Sequence, residues 1–312
     1  IIAAVFNLGM IIPDLSEFIL LFFRFSTGFF LAGIYPVGMK IASDYEEKGL
    51  GKSLGFLVGA LVLGTAFPHL LKSVSYGFSW QYVIISTSLL SAIGGCLVIL
   101  MVPDGPFRKI AQKLKWSAFF TGFKNFHFRS AAFGYFGHMW ELYAFWAFVP
   151  VMLLNYQHHF PQHHFSISLF SFLIIASGSI SCAIAGIISQ KFGVKKIASL
   201  ALISSGICCL LSPIFLSGSS LFALIIFLFL WGIFVVADSP LFSTLVAQNA
   251  PQEIKGTSLI FVNCIGFAIT ILSIQLLRII IELLGSEYAF MILAIGPALG
   301  LVALLKKHKN LA

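Results

Sequence analysis

A carboxylate and an imidazole lie one helical turn apart in an apolar and aromatic stretch of the chain. Glu141 follows His138 by three residues within the segment GYFGHMWELYAFW. Side chains at this spacing share one face of an α-helix, so the two groups can share or relay a proton. The sequence predicts proton chemistry at Glu141 and His138 if the segment is a helix shielded from water. Alternatively, Glu141 is a neutral carboxyl group that is hydrogen-bonded to a neighbouring helix.

Rigid aromatic side chains that carry a polar group surround this pair and suit the walls of a binding site. They are Tyr135, Trp140, Tyr143 and Trp146. Asn263, in a later apolar run, is a further candidate to line the same pathway. Contacts between packed helices explain Asn263 equally well.

Two more ionisable residues, Arg24 and Asp238, lie inside apolar runs, where a charge is costly and therefore suggests a function. Arg24 begins the segment RFSTG, and a side chain that reaches the outer interface is its alternative interpretation. Asp238 precedes Ser239 and Pro240. Proline removes a backbone donor, so the freed carbonyl groups, together with Ser239 and Asp238, can line a cavity or gate. Alternatively, Asp238 bonds the turns that follow.

The composition requires a membrane environment. The chain is 59% hydrophobic and 10% charged, whereas about a quarter of the residues of a soluble domain are charged. Apolar runs near the length of about 20 residues that crosses a bilayer recur throughout, and no period-two alternation indicates a β-barrel. We therefore predict an all-α membrane protein. Ten spans are predicted, the first one partial: 1–12, 16–43, 51–73, 80–102, 130–154, 166–190, 195–217, 219–248, 256–283 and 286–306.

The distribution of cations predicts the orientation of these spans. All but three of the 19 Lys and Arg residues fall in alternate loops on one side of the predicted membrane, the exceptions being Arg24, Lys72 and Arg278. Loops rich in Lys and Arg face the cytoplasm. The net charge of +8 therefore reflects membrane topology and does not predict a nucleic-acid partner.

Neither a metal site nor a cofactor is predicted. The segment YQHHFPQHHF, residues 156–165, holds four histidines, but it has no cysteine or carboxylate and Pro161 prevents a single helical face. All five cysteines lie inside apolar runs, where they behave as small apolar side chains. The motif HExxH is absent from the sequence, and we predict that the protein is not an enzyme.

The segment GIISQKFGVKK joins two of the predicted spans through a short basic turn. It resembles the cytoplasmic loop signature of the major facilitator superfamily, in which two glycines, an acidic or amide residue and three basic residues join two helices. The matching residues are Gly186, Gln190, Lys191, Gly193, Lys195 and Lys196. Gln190 stands at the acidic position of the signature. Arg24 with Gly28 is similar to the arginine of the family's fourth helix, which is associated with proton coupling.

An internal repeat agrees with this resemblance. A shift of 204 residues places Gly28 on Gly232 and Pro36 on Pro240. The resemblance implies two pseudo-symmetric helical bundles, at residues 1–102 and 130–312, and a cytoplasmic central loop at 103–129. The spans then correspond to family helices three to twelve of twelve. The first two would be missing from an N-terminally truncated chain.

The resemblance further implies a secondary transporter that moves a small solute by alternating access, coupled to protons. Export is expected because the series Gly55, Gly59 and Gly64 partly resembles the helix-five signature of antiporters. The alternatives are an uptake permease of the same fold, a receptor that does not transport, and an inactive fragment. The expected partners are the solute, protons and the lipid bilayer, for a monomer in a cell membrane, the bacterial inner membrane being favoured.

Overall fold

The computed structural model describes residues 1–46, 49–74, 79–108, 122–250 and 255–306, and this part of the chain is helical, without strands. The helices are α1 (Ile2–Gly9), α2 (Glu17–Ala32), α3 (Ile34–Tyr45), α4 (Leu50–Val74), α5 (Gln81–Met101), α6 (Phe126–His159), α7 (Ile167–Phe192), α8 (Val194–Leu216), α9 (Leu221–Ala237), α10 (Ser239–Asn249), α11 (Lys255–Leu284), α12 (Ser286–Ala289) and α13 (Ile295–Leu305), and a 3-10 helix (Phe290–Ala294) joins the last two.

These helices confirm the predicted membrane architecture. Eight of the helical spans in the described ranges are long and apolar enough to cross a bilayer. The 34 residues of α6 extend about 50 Å at 1.5 Å per residue, which also exceeds the roughly 30 Å of hydrocarbon. Large apolar side chains such as Phe18 and Leu100, each 80% exposed, lie on the outside of the bundle. There, lipid takes the place of water.

Helix α6 is longer than the predicted span 130–154. It begins at Phe126 because the side chain of Asn125 accepts hydrogen bonds from the backbone N–H groups of His127 and Phe128, at 2.8 and 3.3 Å. Such an N-cap satisfies donors that have no partner within the helix. Helix α6 ends at His159, two residues before Pro161. The last residues of the predicted central loop are thus helical, and residues 109–121 of that loop lie outside the described residues.

Two spans that the sequence predicts as continuous are each broken near a proline. The first breaks at Gly33, before Pro36, and the second at Asp238, before Pro240. Proline cannot donate to the carbonyl four residues earlier. In the second break that carbonyl, of Val236, accepts a hydrogen bond from Cys182 Sγ at 3.4 Å. The two prolines are the ones that the 204-residue repeat superimposes, in agreement with two pseudo-symmetric bundles.

The two bundles meet mainly along α4 and α7, where glycines allow the backbones to approach closely. A Cβ atom on Gly55 would lie 2.8 Å from the carbonyl oxygen of Cys182, and one on Gly59 would lie 2.8 Å from that of Ser179. Only glycine fits such contacts without displacing backbone. Gly55 and Gly59 therefore have a packing role at the junction of the bundles.

We expect Gly55→Ala to destabilise the folded protein, because its methyl group would meet the backbone of α7. Overpacking of this kind costs about 1–3 kcal/mol. Gly64, in the same helix, has no atom within 4 Å of a Cβ position, so Gly64→Ala should be neutral or gain up to about 1 kcal/mol from helix propensity. Thermal unfolding in detergent measures both variants. Equal effects would show that the α4–α7 contact does not depend on glycine.

Candidate functional site

The carboxyl group of Glu141 lies in the middle of α6 and is 1% exposed. Its Oε1 atom accepts hydrogen bonds from Trp231 Nε1 at 2.7 Å and from Cys209 Sγ at 3.2 Å. Its Oε2 atom accepts one from Ser205 Oγ at 2.9 Å. Ser205 and Cys209 are four residues apart on α8, so they share a face, whereas Trp231 comes from α9. One carboxyl group thus joins three helices.

Uncharged donors surround this carboxyl group, and no Lys or Arg side chain of the described ranges pairs with it. Ser205 Oγ also lies 3.2 Å from the carbonyl oxygen of Leu202. Its hydroxyl can therefore donate to ionised Glu141, or accept from protonated Glu141 while it donates to Leu202. Both protonation states of Glu141 have hydrogen-bond partners in this geometry. A buried carboxyl group without them would be strongly destabilising.

A second buried acid lies next to this site. Asp238, at the break between α9 and α10, has its Oδ1 atom 2.8 Å from Nδ1 of His138, and the two side chains are 0% and 1% exposed. Nε2 of His138 and Oδ2 of Asp238 have no hydrogen-bond partner in the described part of the chain. Asp238 is also close enough to Glu141 for their charges to interact. The structure therefore pairs His138 with Asp238, whereas the sequence analysis associated it with Glu141.

The predicted aromatic residues occupy different surroundings along α6. The ring of Tyr135 lies 6.1 Å from that of His138, and the ring of Tyr143 lies 5.1 Å from that of Trp146. Trp140 donates a long hydrogen bond of 3.4 Å to the carbonyl oxygen of Ile292.

Two buried donors in this region have no partner among the described residues. They are Nε1 of Trp146 and Nδ2 of Asn263, whose side chains are 5% and 4% exposed. Asn263 lies on α11, which packs on α6 where a Cβ on Gly266 would be 2.6 Å from the ring of Tyr135. Buried donors of this kind are available to a ligand.

Arg24 is not part of this group. Its side chain is exposed on α2 and forms no ion pair with any described residue. Among the same residues no cluster of three or more His, Cys, Asp or Glu side chains could hold a metal ion.

The glycine and lysine loop between α7 and α8 has a structural role in the bundle. A Cβ on Gly186 would lie 2.6 Å from the carbonyl oxygen of Gly51, so this glycine belongs to the α4–α7 contact. Gly193 has φ +91°, a conformation that favours glycine, and it turns the chain from α7 into α8. Nε2 of Gln190 lies near Gly49 of the other bundle.

The three lysines of this loop differ in their surroundings. Lys191 Nζ lies 5.4 Å from the centre of the Phe192 ring. Lys195 and Lys196 are exposed at the start of α8.

Three residues that contact Glu141 were not identified from the sequence, namely Ser205, Cys209 and Trp231. Trp231 is the only N–H side chain in the run LFALIIFLFLWGIFVVA, which is a signal that its ring needs a buried partner. Nothing in the sequence indicates that the partner is Glu141, 90 residues earlier.

We expect Trp231→Phe to lower stability by about 1–3 kcal/mol more than Trp146→Phe. Both changes shorten a buried aromatic side chain, but only Trp231 donates to a carboxyl group, and hydrogen bonds to charged groups contribute about this amount. Chemical denaturation in detergent micelles compares the two variants. Equal losses would mean that the indole donor does not stabilise Glu141.

The contact between His138 and Asp238 makes a separate prediction about coupling. His138→Leu should destabilise the protein by about 3–5 kcal/mol, because it leaves Asp238 buried without a partner. Adding Asp238→Asn should recover part of this loss, so that the two changes are less than additive. A double-mutant cycle by denaturation gives the coupling energy. Strict additivity would show that the contact between the two side chains contributes nothing.

Comparisons with known proteins agree with this fold. A family model described as Major Facilitator Superfamily matches residues 1–274. The human organic anion transporter MFSD10 (TETRAN) is similar in structure, with a TM-score of 0.74 and 16% identity, over 97% of this chain and 74% of that one. The Escherichia coli fucose:proton symporter FucP has a TM-score of 0.64 and 14% identity, over 97% and 80%.

A second FucP structure, in the outward conformation, has a TM-score of 0.65 and 15% identity, over 97% of this chain and 79% of that one. At these identities the likeness is one of fold. No curated protein sequence matches the chain significantly.

Proposed function

Because the chain belongs to the major facilitator superfamily, we propose that this membrane transporter is proton-coupled and that Glu141 carries the proton. The observation that carries the proposal is the hydrogen bonding of its buried carboxyl group, which suits both protonation states. A group that must gain and lose a proton inside a bilayer needs partners for each state, since either state left unpaired would be costly.

His138 and Asp238 provide a second place for a proton within the same region. The free Nε2 and Oδ2 atoms can bind a proton while Nδ1 and Oδ1 keep their contact. We propose that the pair relays protons to and from Glu141.

The site is mechanically connected to the junction between the bundles. Trp231 precedes Gly232 on α9, and a Cβ on Gly232 would lie 2.6 Å from the carbonyl oxygen of Ile174 on α7. Helix α7 in turn packs on α4 through its glycines. Rearrangement of the donors around Glu141 would therefore move α9 and α7 together, and would change the contact that must open during alternating access.

One polar contact also crosses between the bundles and would break when they separate. The hydroxyl of Tyr35, on α3, lies 3.2 Å from that of Ser243, on α10. A proton shifts the balance between two conformations only by the difference in its affinity for them. The proposed coupling thus requires Glu141 to have different partners when the α4–α7 contact is open.

We propose a small solute as cargo and export as its direction. The named activities of the similar structures, transport of organic anions and symport of fucose with protons, make small anions and sugars the first solutes to examine. Tyr135, Tyr143, Trp146 and Asn263 are the proposed contacts for the solute. Export rests on the resemblance of the α4 glycines to those of antiporters, and uptake remains the alternative that a flux measurement separates.

The proton role of Glu141 is tested with purified protein in liposomes under an imposed pH gradient. An entrapped pH-sensitive dye reports proton movement as anions and sugars are added one at a time. Glu141→Gln should reduce solute-dependent proton flux to the level of protein-free liposomes, because the amide cannot carry the proton. Glu17→Gln, which changes an exposed carboxylate at the start of α2, is the matched control and should keep the flux.

Unchanged flux in Glu141→Gln would contradict the proposal. The sign of solute movement relative to the gradient distinguishes export from uptake. Wild-type protein that binds a solute but moves neither solute nor protons would instead favour a receptor on a transporter fold.

A further inference from the structure

An open groove lies on the lysine-rich end of the second bundle, between the start of α8 and the ends of α10 and α13. Its volume is about 670 Å³, which is within the roughly 300–1,000 Å³ of small-molecule sites. None of the residues that line it belongs to α4 or α7 or bonds Glu141.

One side of the groove is basic, and no acidic residue lines it among those that the structure describes. Lys195 and Lys196 line it, both exposed, and neither forms an ion pair with a described residue. Helices α8, α10 and α13 contain no Asp or Glu. Ser199 also lines the groove and is 8% exposed, and its hydroxyl makes no hydrogen bond to the described residues. The groove therefore offers two cations and a nearly buried hydroxyl donor without a partner.

The other side of the groove is apolar and extends toward the membrane interior. Leu200 and Leu305 are 51% and 61% exposed, and Leu245 is 8% exposed. Leu200 lies five residues beyond Lys195, about 7.5 Å further along the helix axis. A ligand that fits must have an anionic group at the lysines and an apolar chain along the leucines.

We propose that this groove binds an anionic phospholipid of the cytoplasmic leaflet. Its phosphate lies between Lys195 and Lys196 and accepts a hydrogen bond from Ser199, while an acyl chain covers Leu200 and Leu305. Basic pockets between membrane helices on the cytoplasmic side bind anionic headgroups for this reason. A free phosphate would leave the exposed leucines uncovered, so the combined chemistry favours a lipid.

Native mass spectrometry of the detergent-purified protein, titrated with phosphatidylglycerol or phosphatidylcholine, gives the dissociation constant of the first bound lipid. We expect wild type to prefer phosphatidylglycerol at least 10-fold. The pair Lys195→Gln and Lys196→Gln should weaken the binding of phosphatidylglycerol by about 10-fold or more, because each cation near a lipid surface contributes to the affinity. The pair Lys52→Gln and Lys191→Gln removes equal charge outside the groove. It should change the dissociation constant of phosphatidylglycerol by less than about 2-fold.

A variant that keeps both lysines tests the groove itself. Gln248 lines it and is exposed, so Gln248→Trp should fold normally and block the lipid as effectively as the loss of the lysines. Equal weakening by the two lysine pairs, or unchanged binding in Gln248→Trp, would reduce the effect to surface charge and overturn the proposal. Soluble glycerol phosphate that displaces the bound lipid as effectively as phosphatidylglycerol itself does would also overturn the proposal. That result would favour a site for a free anion.

Discussion

The hydrogen bonding of the Glu141 carboxyl group constrains how α6, α8 and α9 pack. A carboxylate at the centre of a membrane helix costs about 2.5–3.5 kcal/mol even on the most permissive scales, so Glu141 needs hydrogen-bond donors in every conformation of the folded protein. Those donors belong to two other helices. Trp231 donates the shortest of the three bonds. The centre of its ring also lies 4.8 Å from that of Phe145. The same side chain therefore holds both the polar site and the apolar core.

The helices that bond Glu141 pack on helices that must move relative to one another during alternating access. Where α9 meets α7, and where α7 meets α4, glycines replace larger side chains and the backbones touch. Such smooth surfaces lack interlocking side chains, so they can separate without repacking. The breaks before Pro36 and Pro240 interrupt the helices on each side of the junction. Polar contacts at one site and smooth glycine contacts at the other suit a transporter that changes conformation.

Much of this arrangement could be predicted from the sequence, and the remainder depends on contacts between distant segments. Glu141 and Asp238 are evident because an ionisable residue is conspicuous within an apolar run. The partners of Glu141 are not, since serine, cysteine and tryptophan are ordinary within membrane helices and the bonds span 64 to 90 residues. His138 shares a helix with Glu141, but the break at Asp238 brings a closer partner. The glycines of α4 partly resemble an antiporter signature, and the structure shows a packing role for Gly55 and Gly59.

The central claim is that Glu141 changes protonation during the transport cycle. Infrared difference spectroscopy of the purified protein, on a pH step, measures the C=O stretch of protonated carboxyl groups directly. The account predicts a carboxyl band that is absent in Glu141→Gln and shifted in Ser205→Ala, because the hydroxyl bonds the same oxygen. A band that persists in Glu141→Gln but disappears in Asp238→Asn would contradict the account and assign the proton to the His138–Asp238 pair.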